Sequence, residues 1–225
     1  MQWIDADKAH PGTTIVAAYQ HAGRGQRGNT WTAKPGESLM MSVITVPGFR
    51  IDEQFIFSAL VATTIATVIQ ELDATINVQI KWPNDVMIND KKAGGILIES
   101  VLRGHSWLYA VIGFGLNVLQ DDFGGALPHA TSLKIAAQKA FDVKELMLQV
   151  RAALISNICN PEPQEVILKK YNDLLFRKNA AQAFYKADKE WVGLVTQVLP
   201  NGMLEVILDD GETVHYTHGE VQWKY

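Results

Sequence analysis

The stretch Gly23-Arg24-Gly25-Gln26-Arg27-Gly28 limits what this chain can fold into more than any other. Glycines let a backbone approach a ligand closely, and each guanidinium offers a fixed planar fork for phosphate or carboxylate oxygens. Gly23, Gly25 and Gly28 also satisfy G-x-G-x-x-G, the dinucleotide-binding spacing. That fingerprint must open a helix whose N-terminus receives the pyrophosphate. Here Asn29-Thr30-Trp31-Thr32-Ala33-Lys34-Pro35-Gly36 follows, with no helical period and a Pro-Gly stop. A nucleotide dehydrogenase is therefore disfavoured. Two readings stay open at this point: an anion-binding loop, or a solvated surface connection.

The flanking segments favour α+β over a doubly wound fold. A tail of helix over Met1–Lys8 ends near His10-Pro11-Gly12, and the β-branched run Thr13–Gln20 delivers the chain into the loop as a strand. Ser38–Val46 is a second strand, closed by Pro47-Gly48. Asp52 and Glu53 then start a helix to about Leu72 with almost no polar face, as a central core helix requires. Ile76–Trp82, Val86–Ile88, Ala93–Leu102 and Trp107–Val118 read as strands of a hairpin meander, making a mixed, largely antiparallel sheet. From Thr131 the period turns helical: Asp142 caps one helix through Ile158, and Pro161-Glu162-Pro163 opens another. These helices form a layer against the sheet. After Lys178, Trp191–Leu199, Met203–Leu208 and Thr213–Tyr216 are short strands joined by Asn201-Gly202 and Asp210-Gly211. The expected division is 1–178, a main domain, and 179–225, a small β-barrel packed on it.

Charge and cysteine usage narrow the function. With a net charge of −4, Arg24 and Arg27 are a local positive spot on a mildly acidic chain, which suits a small anion better than nucleic acid or a membrane surface. The single cysteine, Cys159, cannot form an internal disulfide, and Met1–Asp5 does not resemble a leader, so a reducing cytoplasm is expected. The apolar run Phe55–Ile69 is broken by Ser58, Thr63, Thr64 and Thr67, and no membrane span is read there.

Three more polar clusters sit at strand ends. In Lys81-Trp82-Pro83-Asn84-Asp85, the proline holds the preceding residue extended, and the bend can aim a carboxamide and a carboxylate outward; a plain Asx turn is the bland alternative. Lys92 precedes Ala93-Gly94-Gly95, where adjacent strand glycines signal close approach by a ligand or another backbone. Lys91 belongs to a solvated hairpin tip. Gly113-Phe114-Gly115-Leu116-Asn117 repeats the sparse design, with Asn117 able to hydrogen-bond a ligand or the pair marking a bulge. Trp31 and Trp82 can wall an apolar pocket or stack on a base. His215 and His218 lack a third ligand for a metal site, and there is no Walker A or Gly-x-Ser-x-Gly pattern. Two cationic centres, an amide-and-acid bend and glycine-lined strands together describe an acyl-adenylate site.

These four motifs, in this order, resemble the signatures of the biotin protein ligases (biotin–[acetyl-CoA-carboxylase] ligases), from about Thr13 to Val118 in motifs and over the whole chain in layout. The resemblance implies a class II synthetase-like catalytic domain and an SH3-like C-terminal barrel. It implies biotin and ATP with Mg²⁺ as co-substrates, no tightly bound prosthetic group, and transfer of biotin to a lysine of a biotin carboxyl carrier domain. Carried over by position, Arg24, Gly25, Gln26 and Arg27 fold over biotin and the adenylate phosphate, with Gln20 and Gly23 at the loop base. Lys92 meets the carboxylate and phosphate oxygens, Trp31 and Asn117 line the nucleotide side, and Lys81, Trp82, Asn84, Gly94, Gly95 and Gly115 complete the site. Asp85 either orients the acceptor amine or holds Mg²⁺. Gln26 stands where some members carry arginine, and the Ser-Thr-Asn motif that usually precedes the first strand is not found before Thr13. No DNA-binding helix-turn-helix is expected, and the chain is expected to be a monomer or homodimer. Lipoate or octanoate protein ligase, and a catalytically weak biotin-binding protein, are the alternatives.

Overall fold

The computed structural model describes residues 10–104, 106–125, 127–186 and 189–224. The helix expected over Met1–Lys8 lies outside them. A six-stranded antiparallel sheet is built from β1 (Thr14–Val16), β4 (Ser38–Thr45), β5 (Val78–Lys81), β6 (Asp85–Ile88), β7 (Lys91–Arg103) and β8 (Ser106–Asn117), in the order β1-β4-β8-β7-β6-β5. The short hairpin of β2 (Gly23–Arg24) and β3 (Thr30–Trp31) stands apart from it. The first strand is shorter than Thr13–Gln20: one more bond, Ala17 N–H to the Met40 carbonyl at 3.0 Å, follows it before the chain leaves for the loop.

One face of the sheet is covered by helices. The helix α1 (Gln54–Leu72) is buried on nearly every side, with Phe57, Val61, Ile65 and Ile69 fully enclosed. The segment Ile51–Leu72 is long and apolar enough to cross a bilayer, yet its apolar residues are spent on the protein core. Its start differs from expectation: Ile51–Glu53 is a 3₁₀ turn, and the Glu53 carboxylate accepts from the Arg50 N–H at 2.8 Å. Helices α2 (Leu133–Ala137), α3 (Val143–Cys159) and α4 (Gln164–Asp173) follow, with α3 and α4 packed on α1. Asp142 caps α3 as read, accepting from the backbone N–H groups of Lys144 and Glu145 at 2.8 and 2.9 Å.

The C-terminal unit is an antiparallel sheet of five strands, in the order β12-β11-β10-β9-β13, from β9 (Ala181–Lys186), β10 (Lys189–Val198), β11 (Leu204–Leu208), β12 (Thr213–Tyr216) and β13 (Gln222–Trp223). Two of these, β9 and β13, are absent from the expected set; β13 has only two residues, too short to carry a period. The pairings run in an open line among the described residues. This sheet docks firmly. Asn172 grips the backbone of Val198 from both sides, donating to its carbonyl at 2.9 Å and accepting from its N–H at 2.7 Å. The Trp82 indole donates to the Gly202 carbonyl at 2.9 Å, and Phe184, Val195 and Val198 continue the core of the main sheet.

Candidate active site

The uncovered face of the sheet floors a cleft of about 750 Å³. Strand register explains its shape. Met40 pairs with Gly115, Gly115 with Gly95, Gly95 with Asp85, and Asp85 with Lys81, so these five residues form one row across four hairpin-joined strands and β4. Cross-strand partners share a face, and the two glycines open a slot in the middle of the row. A side chain at Gly115 would meet the Trp31 ring at 2.8 Å, so the slot is where the indole lies. At Gly95 the nearest atoms to an added Cβ are Asp85 Oδ1 at 3.7 Å and Lys92 Cε at 4.0 Å, which leaves the charged end of the row open.

Lys92 reaches this face through an irregularity. Residues 92 and 95 would point to opposite faces of a regular strand. The register between β6 and β7 slips there, pairing Met87 with Lys92 and Val86 with Gly94, and the slip turns Lys92 towards the cleft. Its backbone is clamped from behind: Lys92 N–H donates to the His129 carbonyl at 2.8 Å and its carbonyl accepts from Thr131 at 2.9 Å. Lys92 Nζ lies 2.7 Å from Asp85 Oδ1, and Lys81 Nζ lies 3.7 Å from Asp85 Oδ2. Burial pushes Lys81 down to about 8, against the pull of Asp85 and with some help from Lys92. The Trp223 ring covers Lys81, centroid 5.8 Å from Nζ.

The bend after β5 is held rigidly. The Trp82–Pro83 peptide is cis, and the buried Tyr171 hydroxyl donates to the Pro83 carbonyl at 3.0 Å. Asn84 donates its side-chain amide to the Ile96 carbonyl at 2.5 Å, and its backbone carbonyl accepts from the Ile96 N–H at 3.0 Å. It borders the cleft as a clamp between the bend and β7.

The glycine-arginine loop roofs the cleft. Gln26–Gly28 is a 3₁₀ turn with Arg27 in the left-handed region at φ 54°, closed by Gly25 N–H to Asn29 carbonyl at 2.7 Å. Arg24 reaches Glu99 on β7 at 3.3 Å; with the Arg24 side chain 72% exposed, that pair is weak and its guanidinium can be given up to a ligand. Arg27 donates to the His218 carbonyl of the C-terminal unit. Gln20, Gly25, Gln26, Trp31 and Trp82 also border the cleft.

Three expected residues do not border it. Asn117 is 6% exposed and donates its amide to the Thr131 carbonyl at 3.0 Å. Its position continues the Gly113–Gly115 face, but the segment returning to α2 covers it. Gly94 faces the other way, where a Cβ would meet the Gly115 carbonyl at 2.6 Å, so its glycine serves strand packing. Gly23 is packed against the Trp31 carbonyl and Gln20 and borders only the outer hollow beside the loop. Conversely, His218, Val221, Gln222 and Trp223 form a wall with no motif to announce it. Burial and the Arg27 guanidinium push the His218 imidazole below its ordinary range. His215 instead pairs with Glu205 at 3.1 Å.

A glycine-floored slot with two ammonium groups around one carboxylate, under an arginine loop, suits a ligand that joins an organic acid to a phosphate; the fold around it is that of the biotin protein ligases. The solved biotin protein ligase from Aquifex aeolicus in complex with biotin and ATP superposes with a TM-score of 0.80 over 96% of this chain and 90% of that one, at 22% identity. Residues 2–117 match the biotin/lipoate A/B protein ligase family model, and the chain belongs to that family. It is 37% identical over 139 residues to the bifunctional ligase/repressor BirA of Bacillus subtilis, covering 60% of this chain and 42% of that protein. It is 34% identical over 133 residues to the biotin–[acetyl-CoA-carboxylase] ligase of Paracoccus denitrificans, covering 56% of this chain and 55% of that one. The chain thus spans about half or less of the length of these relatives.

Proposed function

We propose that this chain activates biotin with ATP and passes it to a lysine of a biotin carboxyl carrier domain of the acetyl-CoA carboxylase type. The observation that carries this reading is the row Gly115, Gly95, Asp85, Lys81 with Lys92 turned onto it. A biotin carboxylate attacks the α-phosphorus of ATP, pyrophosphate leaves, and biotinyl-5′-AMP forms. The acceptor amine then attacks the acyl carbon, and AMP leaves with the bonding pair of the acyl–oxygen bond. Negative charge gathers on the phosphorus oxygens in the first step and on the acyl oxygen in the second, and fixed cations lower both barriers. Lys92 and Arg24 supply them. Asp85, held by two ammonium groups, presents a charged acceptor towards an incoming amine.

Mg²⁺ belongs to this reading as the counter-ion of ATP. Asp85 is already claimed by Lys81 and Lys92, and no three acids, histidines or cysteines gather as a metal site among the described residues, so those residues do not fit a resident ion. The reading includes no tightly bound cofactor, no nucleic-acid or membrane partner, and a reducing cytoplasm, supported by the lone, exposed Cys159. It also includes a monomer or homodimer, and a boundary at 178/179, supported by the turn that separates α4 from β9 there.

The test is exchange of pyrophosphate into ATP with Mg²⁺, comparing biotin, lipoate and no acid. Exchange that requires biotin is expected. Exchange with lipoate alone would move the assignment to the lipoate branch of the family, and exchange with neither would leave a binding protein.

A further inference from the structure

The turn joining β12 to β13 carries Gly219 at φ +87°, directly beneath the Arg27 guanidinium. An added Cβ at this position would fall within the guanidinium itself, so the arginine occupies the volume that any side chain at 219 would need. The neighbouring His218 carbonyl accepts from Arg27 Nη2, and the His218 ring packs edge-on to Trp82, centroids 5.8 Å apart. Trp82 is in turn tied to the Gly202 carbonyl. Arg27 sits in the left-handed region, which costs a non-glycine residue energy unless its surroundings hold it there. Among the described residues its side chain bonds to this turn, at the His218 carbonyl and over Gly219.

We propose that Gly219 is a positioning residue: it forms a seat for Arg27, and through that seat the C-terminal unit holds the glycine-arginine loop down over the cleft. The lowered pKa of His218, caused by burial and by Arg27, agrees with a guanidinium lodged at this place. Seated, the loop encloses whatever fills the cleft. Unseated, the arginine tip of the loop keeps only the exposed Arg24–Glu99 pair, which is weak, while Trp31 still anchors the loop's base on Gly115. Resting on the function proposed above, the seat also sets how long an acyl-adenylate stays bound.

Trypsin cleavage after Arg24 in the whole chain, without ligand, reads the seat directly. Gly219→Ala should speed this cleavage about tenfold, because opening of the loop then costs less. Gly211→Ala is the matched control: Gly211 has φ +85° on another turn of the same sheet with open space around it, so it carries the same backbone strain without touching Arg27. Arg27→Ala should accelerate cleavage to the level of Gly219→Ala, and the double variant should add nothing, as expected when both remove one contact. Equal rates for Gly219→Ala and Gly211→Ala, or additive effects in the double variant, would overturn the proposal. If Gly219→Ala does not fold, Arg27→Ala alone decides, and a wild-type cleavage rate in it overturns the proposal. The readout needs neither biotin nor ATP, so a failed exchange assay and a failed seat are separate results.

Discussion

The Trp31 indole lies on Gly115, its Cε2 2.8 Å from where a side chain at 115 would begin. The loop's one large aromatic is therefore placed by a glycine eighty-odd residues later, on the floor of the cleft. Gly115→Ala should push the ring off the floor while leaving β8 paired. The expected result is a rise of about tenfold or more in the KM for the acid or the nucleotide, with a changed Trp fluorescence spectrum. An unchanged KM and spectrum would show that the ring has room to give.

Lys92→Ala removes the cation that the strand irregularity turns into the cleft. Pyrophosphate exchange should fall by roughly two to three orders of magnitude, as for the loss of one preorganised charge at a developing oxyanion. The fold should survive, since the Lys92 side chain is 41% exposed and its backbone bonds remain. Undiminished exchange would remove Lys92 from the chemistry.

Lys81 gives a pH dependence of stability. Its value, about 8 in the folded chain, lies below the ordinary 10.5, mainly through burial. The folded state therefore holds the charged amine less favourably than the unfolded chain does, although the amine stays charged at neutral pH. The penalty is full below pH 8 and is relieved as pH rises from 8 towards 10.5, where the unfolded chain also loses its proton. Lys81→Met should stabilise the chain at pH 7 by on the order of 1–3 kcal/mol in urea unfolding, an advantage that shrinks towards pH 10. A difference that is constant across that range would mean Lys81 is not desolvated.

Asn172 on α4 ties the C-terminal sheet to the helical layer of the main unit. Asn172→Ala leaves the Val198 N–H and carbonyl without partners at a closed interface, a loss of about 1–3 kcal/mol. The urea midpoint should fall, and exchange should fall with it if the C-terminal wall detaches first.

Much of the floor was legible because glycine is informative in a strand: Gly95 and Gly115 pack nothing of their own and mark a place kept clear. Gly94 looked the same and is not, because only register says which face a strand residue presents. Asn117 follows the alternation correctly and is still covered, because its amide bonds to Thr131 on a returning stretch that has no period to read. The wall of His218, Val221, Gln222 and Trp223 could not be foreseen. Its members are ordinary residues of a small sheet, brought to the cleft by packing between Phe176, Phe184 and Trp223. The turn of Lys92 was likewise invisible, because a bulge is a property of two strands together.

The Arg27–His218 contact joins positions 191 residues apart. During synthesis the floor and roof emerge long before the far wall, so a ribosome-bound chain stopped before β9, with its helices in place, would hold a groove with one side missing and its arginine loop unseated. A reactive acyl-adenylate made there would be open to water and to any passing amine. Placing the closing contact so late in the chain makes enclosure of the cleft conditional on the C-terminal sheet being complete.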